Sequence, residues 1–293
     1  MDVKILAQML ISGILFGTMY GIGAIGLSLI YGTMRIIFIA QGTIIILVAY
    51  GSYFLFDLYG VDPYLSLLIV IPASLVLGVG IYQGLFRHIA GAGANATLLV
   101  AFGLMALVEN LMQVLFHADA RALQTDYSSY AFTLFGLKVS FVRLMAFIMA
   151  VLGTGLVTFF LKKTLLGKAV RAASENLEYA VLVGIPPYQV NTITFTLGIG
   201  LAGVAGVATA TTYAFTPFSG FVFSLKAMIA LALGGLGSVT GALLGGILLG
   251  VIESYTSYFL ASGWADVASY LVFLFVLLFK PEGLFNRDSS TKL

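Results

Sequence analysis

Long runs of apolar residues without a charge decide what this chain can become. About 20 such residues cross the roughly 30 Å hydrocarbon core of a bilayer as an α-helix, and the sequence holds about nine runs of that kind. They are Ile5 to Ile30, Ile36 to Phe56, Tyr64 to Phe86, Ala96 to Phe116, Val139 to Leu161, Asn191 to Tyr213, Phe221 to Leu236, Gly241 to Phe259 and Val267 to Phe279. Only 9% of the 293 residues are charged, against about 25% in soluble domains, so water is excluded as the solvent for this surface. The expected fold is all-α, a polytopic transmembrane helical bundle formed as one domain over residues 1–293. The seventh run is short and bounded by glycine, which points to a discontinuous helix. A re-entrant segment near Arg35 or Gly235 would change the count by one. The start at Met1 to Lys4 reads as part of a retained first span, because the apolar run is longer than a signal-peptide core and lacks a clear small-residue cleavage site.

Basic residues in short loops stay on the cytoplasmic side during insertion. Lys162, Lys163, Lys168 and Arg171 crowd the connection after the fifth span, and Lys280, Arg287 and Lys292 follow the ninth. Both segments are therefore expected in the cytoplasm. Counting back places Arg35 and Arg87-His88 inside, Asp57, Asp62 and the Asp119 to Asp126 loop outside, and the N-terminus outside. Net charge is only +2, which suggests no nucleic-acid partner. With no cysteine and two distant histidines, thiolate chemistry and metal-ligand clusters find no support. No catalytic constellation and no G-x-x-x-x-G-K-[ST] phosphate loop occurs, so this chain is expected to be no enzyme and to bind no cofactor.

Apolar helices in lipid associate through close backbone approach, which small residues at four-residue spacing permit. Gly198, Ala202, Gly206 and Ala210 form such a stripe, as do Gly17 with Gly21, Gly241 with Gly245, and Gly246 with Gly250. Charges inside the runs are expensive and face protein or water. Glu109 with Asn110 is expected to line a path or to pair with a basic residue such as Arg143. Lys226 would snorkel outward, contact Glu253 or present its charge to a passing carboxylate, and Glu253 would complete an internal pair. So few ionisable groups argue against a proton relay.

Residues 162–190, KKTLLGKAVRAASENLEYAVLVGIPPYQV, are the long hydrophilic segment with an evident internal design. They are expected to hold a short amphipathic helix at the membrane surface. Ser174 is expected to cap it, with Glu175 and Asn176 in the first turn, where negative charge suits the helix dipole. Ala173, Leu177, Ala180 and Val181 would share a face. Gly184 would close the helix in the left-handed conformation, and Pro186-Pro187 would stop it. A plain connector held near lipid headgroups by basic residues is the competing reading.

Most of the chain resembles the membrane permease subunits of ABC importers, specifically the LivH-type permeases for branched-chain amino acids. Arg171-Ala172-Ala173-Ser174-Glu175-Asn176, then Leu177, Ala180 and Gly184-Ile185, is similar to the family's cytoplasmic coupling motif, in which a short helix docks into an ATPase. Thr216-Pro217-Phe218-Ser219-Gly220-Phe221, Lys226-Ala227 and Leu233-Gly234-Gly235-Leu236-Gly237-Ser238 resemble its most specific later block, Leu277 to Phe285 its closing sequence, and Ile30 to Arg35 its early one. After Arg35 the family reads close to Ile-Asn-Phe-Ala-His-Gly-Glu, whereas this chain has Ile37-Phe38-Ile39-Ala40-Gln41-Gly42-Thr43. Gln41 and Thr43 thus join Glu109, Asn110, Lys226 and Glu253 as candidates for the translocation pathway, and the departures bear on the cargo. The motif also has Asn176 where an Asp is common. The resemblance implies a prokaryotic inner membrane, two ATPase subunits carrying ATP and Mg, a second permease that is a related chain or a copy, and an external substrate-binding protein delivering Leu, Ile or Val. The residues alone leave room for a secondary transporter or channel for another small amino acid or an amide such as urea, and for a non-transporting scaffold.

Overall fold

In lipid, an unpaired backbone amide or carbonyl costs several kcal/mol, so each apolar run must close its hydrogen bonds within itself. A computed structural model describes residues 3–89, 92–134 and 136–285, and each of the nine apolar runs contains a helix. Among the described residues, seven helices are long and apolar enough to cross a membrane: α1 (Val3–Met34), α2 (Gln41–Tyr59), α3 (Pro63–Ile89), α4 (Ala94–Phe116), α5 (Phe141–Lys163), α8 (Pro187–Thr212) and α10 (Val239–Phe259). Between α5 and α8 lie α6 (Leu165–Glu175) and α7 (Leu177–Leu182). Two shorter apolar helices, α9 (Ser219–Gly234) and α11 (Trp264–Phe279), have 16 residues each. At 1.5 Å per residue each is about 24 Å long, which is less than a full hydrocarbon core. A two-stranded antiparallel hairpin, β1 (Ala131–Leu134) and β2 (Leu137–Ser140), precedes α5. Met1, Arg287 and Lys292 lie outside the described residues.

The glycine stripes set the centre of the bundle. A Cβ on Gly246 would strike the backbone of Gly21, one on Gly250 the backbone of Gly17, and one on Gly13 would lie 2.6 Å from the Val251 Cα. Contacts that run up one helix as they run down the other make α1 and α10 antiparallel. Gly198 of α8 meets Gly26 of α1, and Gly206 meets Val48 and the Ile45 carbonyl of α2. The α1 and α8 stripes are buried along much of their length, whereas α3, α4 and α5 expose most of theirs. Small-residue contact rather than side-chain burial thus orders the bundle.

Two departures from the expected helix starts shape the site. The second span begins at Gln41 rather than Ile36, because Arg35 adopts a left-handed φ of 55° and the following residues to Ala40 run back non-helically beside α1. Gln41 stands against Gly26, eight residues before the α1 end at Met34, or roughly 12 Å up the helix axis. The seventh starts at Ser219 and stops at Gly234; Leu236 lies in the following turn, where Gly235 (φ 98°) and Gly237 (φ 87°) take backbone conformations that disfavour a side chain. Gly42 packs onto Gly220 and Ser224, so α2 and α9 begin against one another beside the middle of α1. Neither start is visible as a break in hydrophobicity, since both descending segments are themselves largely apolar.

Candidate functional site

The facing starts of α2 and α9 gather polar groups deep in the bundle. Ser224 Oγ accepts from the Gly42 amide at 2.8 Å and donates to the Ile39 carbonyl, which satisfies backbone groups on both sides of the α2 start. Gln41 is fully buried and its Nε2 donates to the Gly198 carbonyl at 3.1 Å, while its Oε1 has no protein partner. Thr43 Oγ1, in the first turn of α2, donates to Glu109 Oε1 at 3.1 Å. Glu109 therefore meets the first turn of α2. The expected pairing of Glu109 with Arg143 does not occur. A hydroxyl and a helix start hold the carboxylate, and Arg143 lies over the Phe16 ring, 6.0 Å from its centroid. Asn110 is exposed and donates to its own helix, at the Ala106 carbonyl, at 2.7 Å.

A second polar group ties four helices together. Lys226 Nζ of α9 lies 3.0 Å from Glu253 Oε1 of α10 and 2.9 Å from Asp266 Oδ1 of α11, and donates to the Tyr20 hydroxyl of α1 at 3.1 Å. Tyr20 donates to Glu253 Oε2 at 2.9 Å, and Ser269 donates to Glu253 Oε1 at 2.8 Å. Of the readings open for Lys226, the side chain makes the contact with Glu253 rather than reaching outward. All three ammonium donors are engaged. Tyr20, Asp266 and Ser269 carried no signal in the sequence, apart from the acidic residue at the mouth of the last apolar run. The short helices α9 and α11 gain from this network an attachment that their length in lipid cannot give.

The loop after α5 is two helices rather than one. Thr164 caps α6, accepting from the Gly167 amide at 2.9 Å, and Gly167 folds against the Phe160 and Leu161 backbone, so α6 turns back tightly on the end of α5. Ser174 is not an N-cap. It lies in the last turn of α6 and donates to the Arg171 carbonyl at 2.8 Å, and Glu175 ends that helix instead of starting the next. The cap of α7 is Asn176, extended at φ −156°, whose Oδ1 accepts from the Tyr179 amide at 3.1 Å. An Asn or Asp side chain both breaks α6 and starts α7, which Ser174 inside a helical Arg-Ala-Ala-Ser run does not.

Gly184 has φ 84°, with its amide on the Val181 carbonyl and the Ile185 amide on the Ala180 carbonyl, both at 3.0 Å. This is a Schellman closure, and Ile185 and Ala180 pack into the core as such a closure requires. The expected shared face is corrected too: Ala173 and Ala180 are buried, but Leu177 and Val181 are exposed on the far side. Pro186 and Pro187 then start α8, Pro187 at its first position. Arg171 and Ser174, with Glu175, line a cavity of about 350 Å³ between this knob and the neighbouring ends of α1 and α5.

The family described as branched-chain amino acid transport system, permease component, matches residues 9–279. Among curated relatives, BraD of Pseudomonas aeruginosa, a high-affinity branched-chain amino acid transport system permease protein, is 29% identical over 98% of this chain and 97% of its own length. LivH of Salmonella typhimurium, of the same description, is 28% identical over 98% and 97%. A probable LivH of the archaeon Methanocaldococcus jannaschii is 29% identical over 96% and 93%. No solved structure gives a significant match. With nearly the whole bundle covered, from the glycine stripe of α1 to the end of α11, this multi-pass membrane protein belongs to the permease components of branched-chain amino acid transport systems.

Proposed function

We propose that the chain is one of two membrane-spanning subunits of an ABC importer that brings Leu, Ile or Val into a prokaryotic cell from an external binding protein. The second subunit is a related permease or a copy of this one. ATP and Mg belong on two partner ATPases, which grip the α6–α7 knob through Arg171, Ser174, Glu175, Leu177 and Gly184, while Ala180 and Ile185 fix the knob to the bundle. One observation carries this reading. On the knob Tyr179 is 68% exposed, Leu182 80% and Val183 76%, while Ala173 and Ala180 anchor it at 3%. A rigid helical knob that is fixed to the bundle and apolar on its outer side suits a protein groove. The basic residues beside it favour a cytoplasmic position, with the C-terminus on the same side and the N-terminus external. Closure of the ATPases would push the knob and, through α5 and α8, rock the spans. Gln41, Thr43, Glu109, Asn110, Lys226 and Glu253 are the candidates for the pathway.

The test is reconstitution of the chain with its partner permease, ATPases and binding protein in proteoliposomes, with labelled leucine outside. Accumulation that requires ATP, and a cross-link from Leu182→Cys to the ATPase, are expected. Uptake that proceeds without ATP would overturn the importer reading.

A further inference from the structure

At the end of the bundle opposite the knob, a cavity of about 400 Å³ opens between α1, α5, α9, α10 and α11. Arg143, on its wall, lies twenty residues from Lys163, or roughly 30 Å along α5 from the knob. The size is within the range of small-molecule pockets. Its charges do not cancel in place. Lys226 faces two carboxylates, Glu253 and Asp266, so one negative charge is left over. Arg143 has no carboxylate within 4 Å among the described residues, and it offers a planar fork of donors beside the Phe16 ring. Tyr213, whose ring stands edge-on to Phe16 at 5.0 Å, has a buried hydroxyl with no protein partner. One cavity thus holds an unpaired cation and a surplus of negative charge that do not pair with each other.

We propose that this cavity binds the charged end of a zwitterionic α-amino acid, with Arg143 holding the carboxylate in a bidentate pair and Asp266 holding the ammonium. Asp266 is the carboxylate for the task because its side chain is 55% exposed, whereas that of Glu253 is 6% exposed and already accepts from Tyr20 and Ser269. The proposal rests on the amino-acid importer reading and gives a single subunit its own transient site on the entry side, one that reads the backbone charges common to Leu, Ile and Val.

The experiment measures labelled leucine uptake by the complete reconstituted complex, with KM and maximal rate taken separately. Arg143→Gln and Asp266→Asn are each expected to lower uptake at least about tenfold, as loss of a charged hydrogen bond implies, with the variants still co-purifying with the ATPases. Arg143→Lys should recover part of the rate. Lys138→Gln, which removes an exposed cation from β2 outside the cavity, should match the parent. ATP-driven uptake by the parent chain with undiminished uptake by Arg143→Gln and Asp266→Asn would overturn the site while leaving the importer intact. No ATP-driven uptake by the parent chain would overturn the importer reading, and the site with it.

Discussion

Replacing Lys226 with Met removes the cation from a network whose two carboxylates, Glu253 and Asp266, stay behind. The Lys226 and Glu253 side chains are 12% and 6% exposed and 3.0 Å apart, so Glu253 would be left with the Tyr20 and Ser269 hydroxyls alone. Breaking a buried pair by removing one partner destabilises by about 3–5 kcal/mol, because the remaining charge is neither solvated nor compensated. Glu253→Gln should be milder, about 1.5–3 kcal/mol, since the amide still accepts from Tyr20 while Lys226 keeps Asp266. The double variant leaves neither charge orphaned at that position. It should be more stable than Lys226→Met alone, giving a coupling energy of about 1–3 kcal/mol. Unfolding of the purified permease in mixed micelles, titrated with a denaturing detergent and followed by tryptophan fluorescence, measures all four species. Additive losses in the double variant, or a loss below about 1 kcal/mol for Lys226→Met, would refute the idea that this contact fastens the short helices α9 and α11 to α1 and α10.

Three further outcomes follow from the same geometry. Gly184→Val should impose about 1–3 kcal/mol of backbone strain at φ 84°, although nothing lies within 4 Å of the new Cβ. Uptake should fall while the amount of protein in the membrane stays unchanged, which immunoblotting alongside transport would check. Gly246→Leu should separate α1 from α10 and reduce the folded fraction in size-exclusion chromatography, whereas Gly51→Leu, which meets nothing within 4 Å, should be tolerated. In the loop between α4 and α5, burial and a 2.8 Å hydrogen bond to Asp62 push the Tyr127 phenol well above its usual value of 10.0. Its contribution to stability is therefore complete below about pH 10 and lost as the pH rises through the higher folded-state value. Phenolate absorbance should show one fewer late-titrating tyrosine in Asp62→Asn than in the parent.

The candidate site was legible in uneven measure. The nine apolar runs, the glycine stripes, the left-handed Gly184 and the option of a Lys226–Glu253 contact could all be read from residue type and spacing. A re-entrant segment near Arg35 was among the options, but its extent from Ile36 to Ala40 could not be read, because an apolar re-entrant segment carries the same hydrophobicity as a helix. The cap falls on Asn176 rather than Ser174, and the residues alone do not separate them, because both side chains can cap and they lie two positions apart. Only the packing of Ala173 on one side and Ala180 on the other picks Asn176 as the break. For Glu109 the sequence offered a path-lining role or a basic partner such as Arg143, and only the packing sets its carboxylate against Thr43 at the start of α2.

By itself the sequence determined that the chain is helical in lipid, because a charge-poor backbone without water must bond to itself within each segment. It also determined which helix faces could touch, because only glycine and alanine allow backbones so close. Tertiary structure alone decided which polar residues meet. Tyr20, Lys226, Glu253 and Asp266 come from four helices spread over 247 positions, counted as 266 minus 20 plus one, and no local periodicity records such a meeting. In a low-dielectric interior the stability of each charge depends on what lies a few ångströms away, and that is fixed only when the helices have packed.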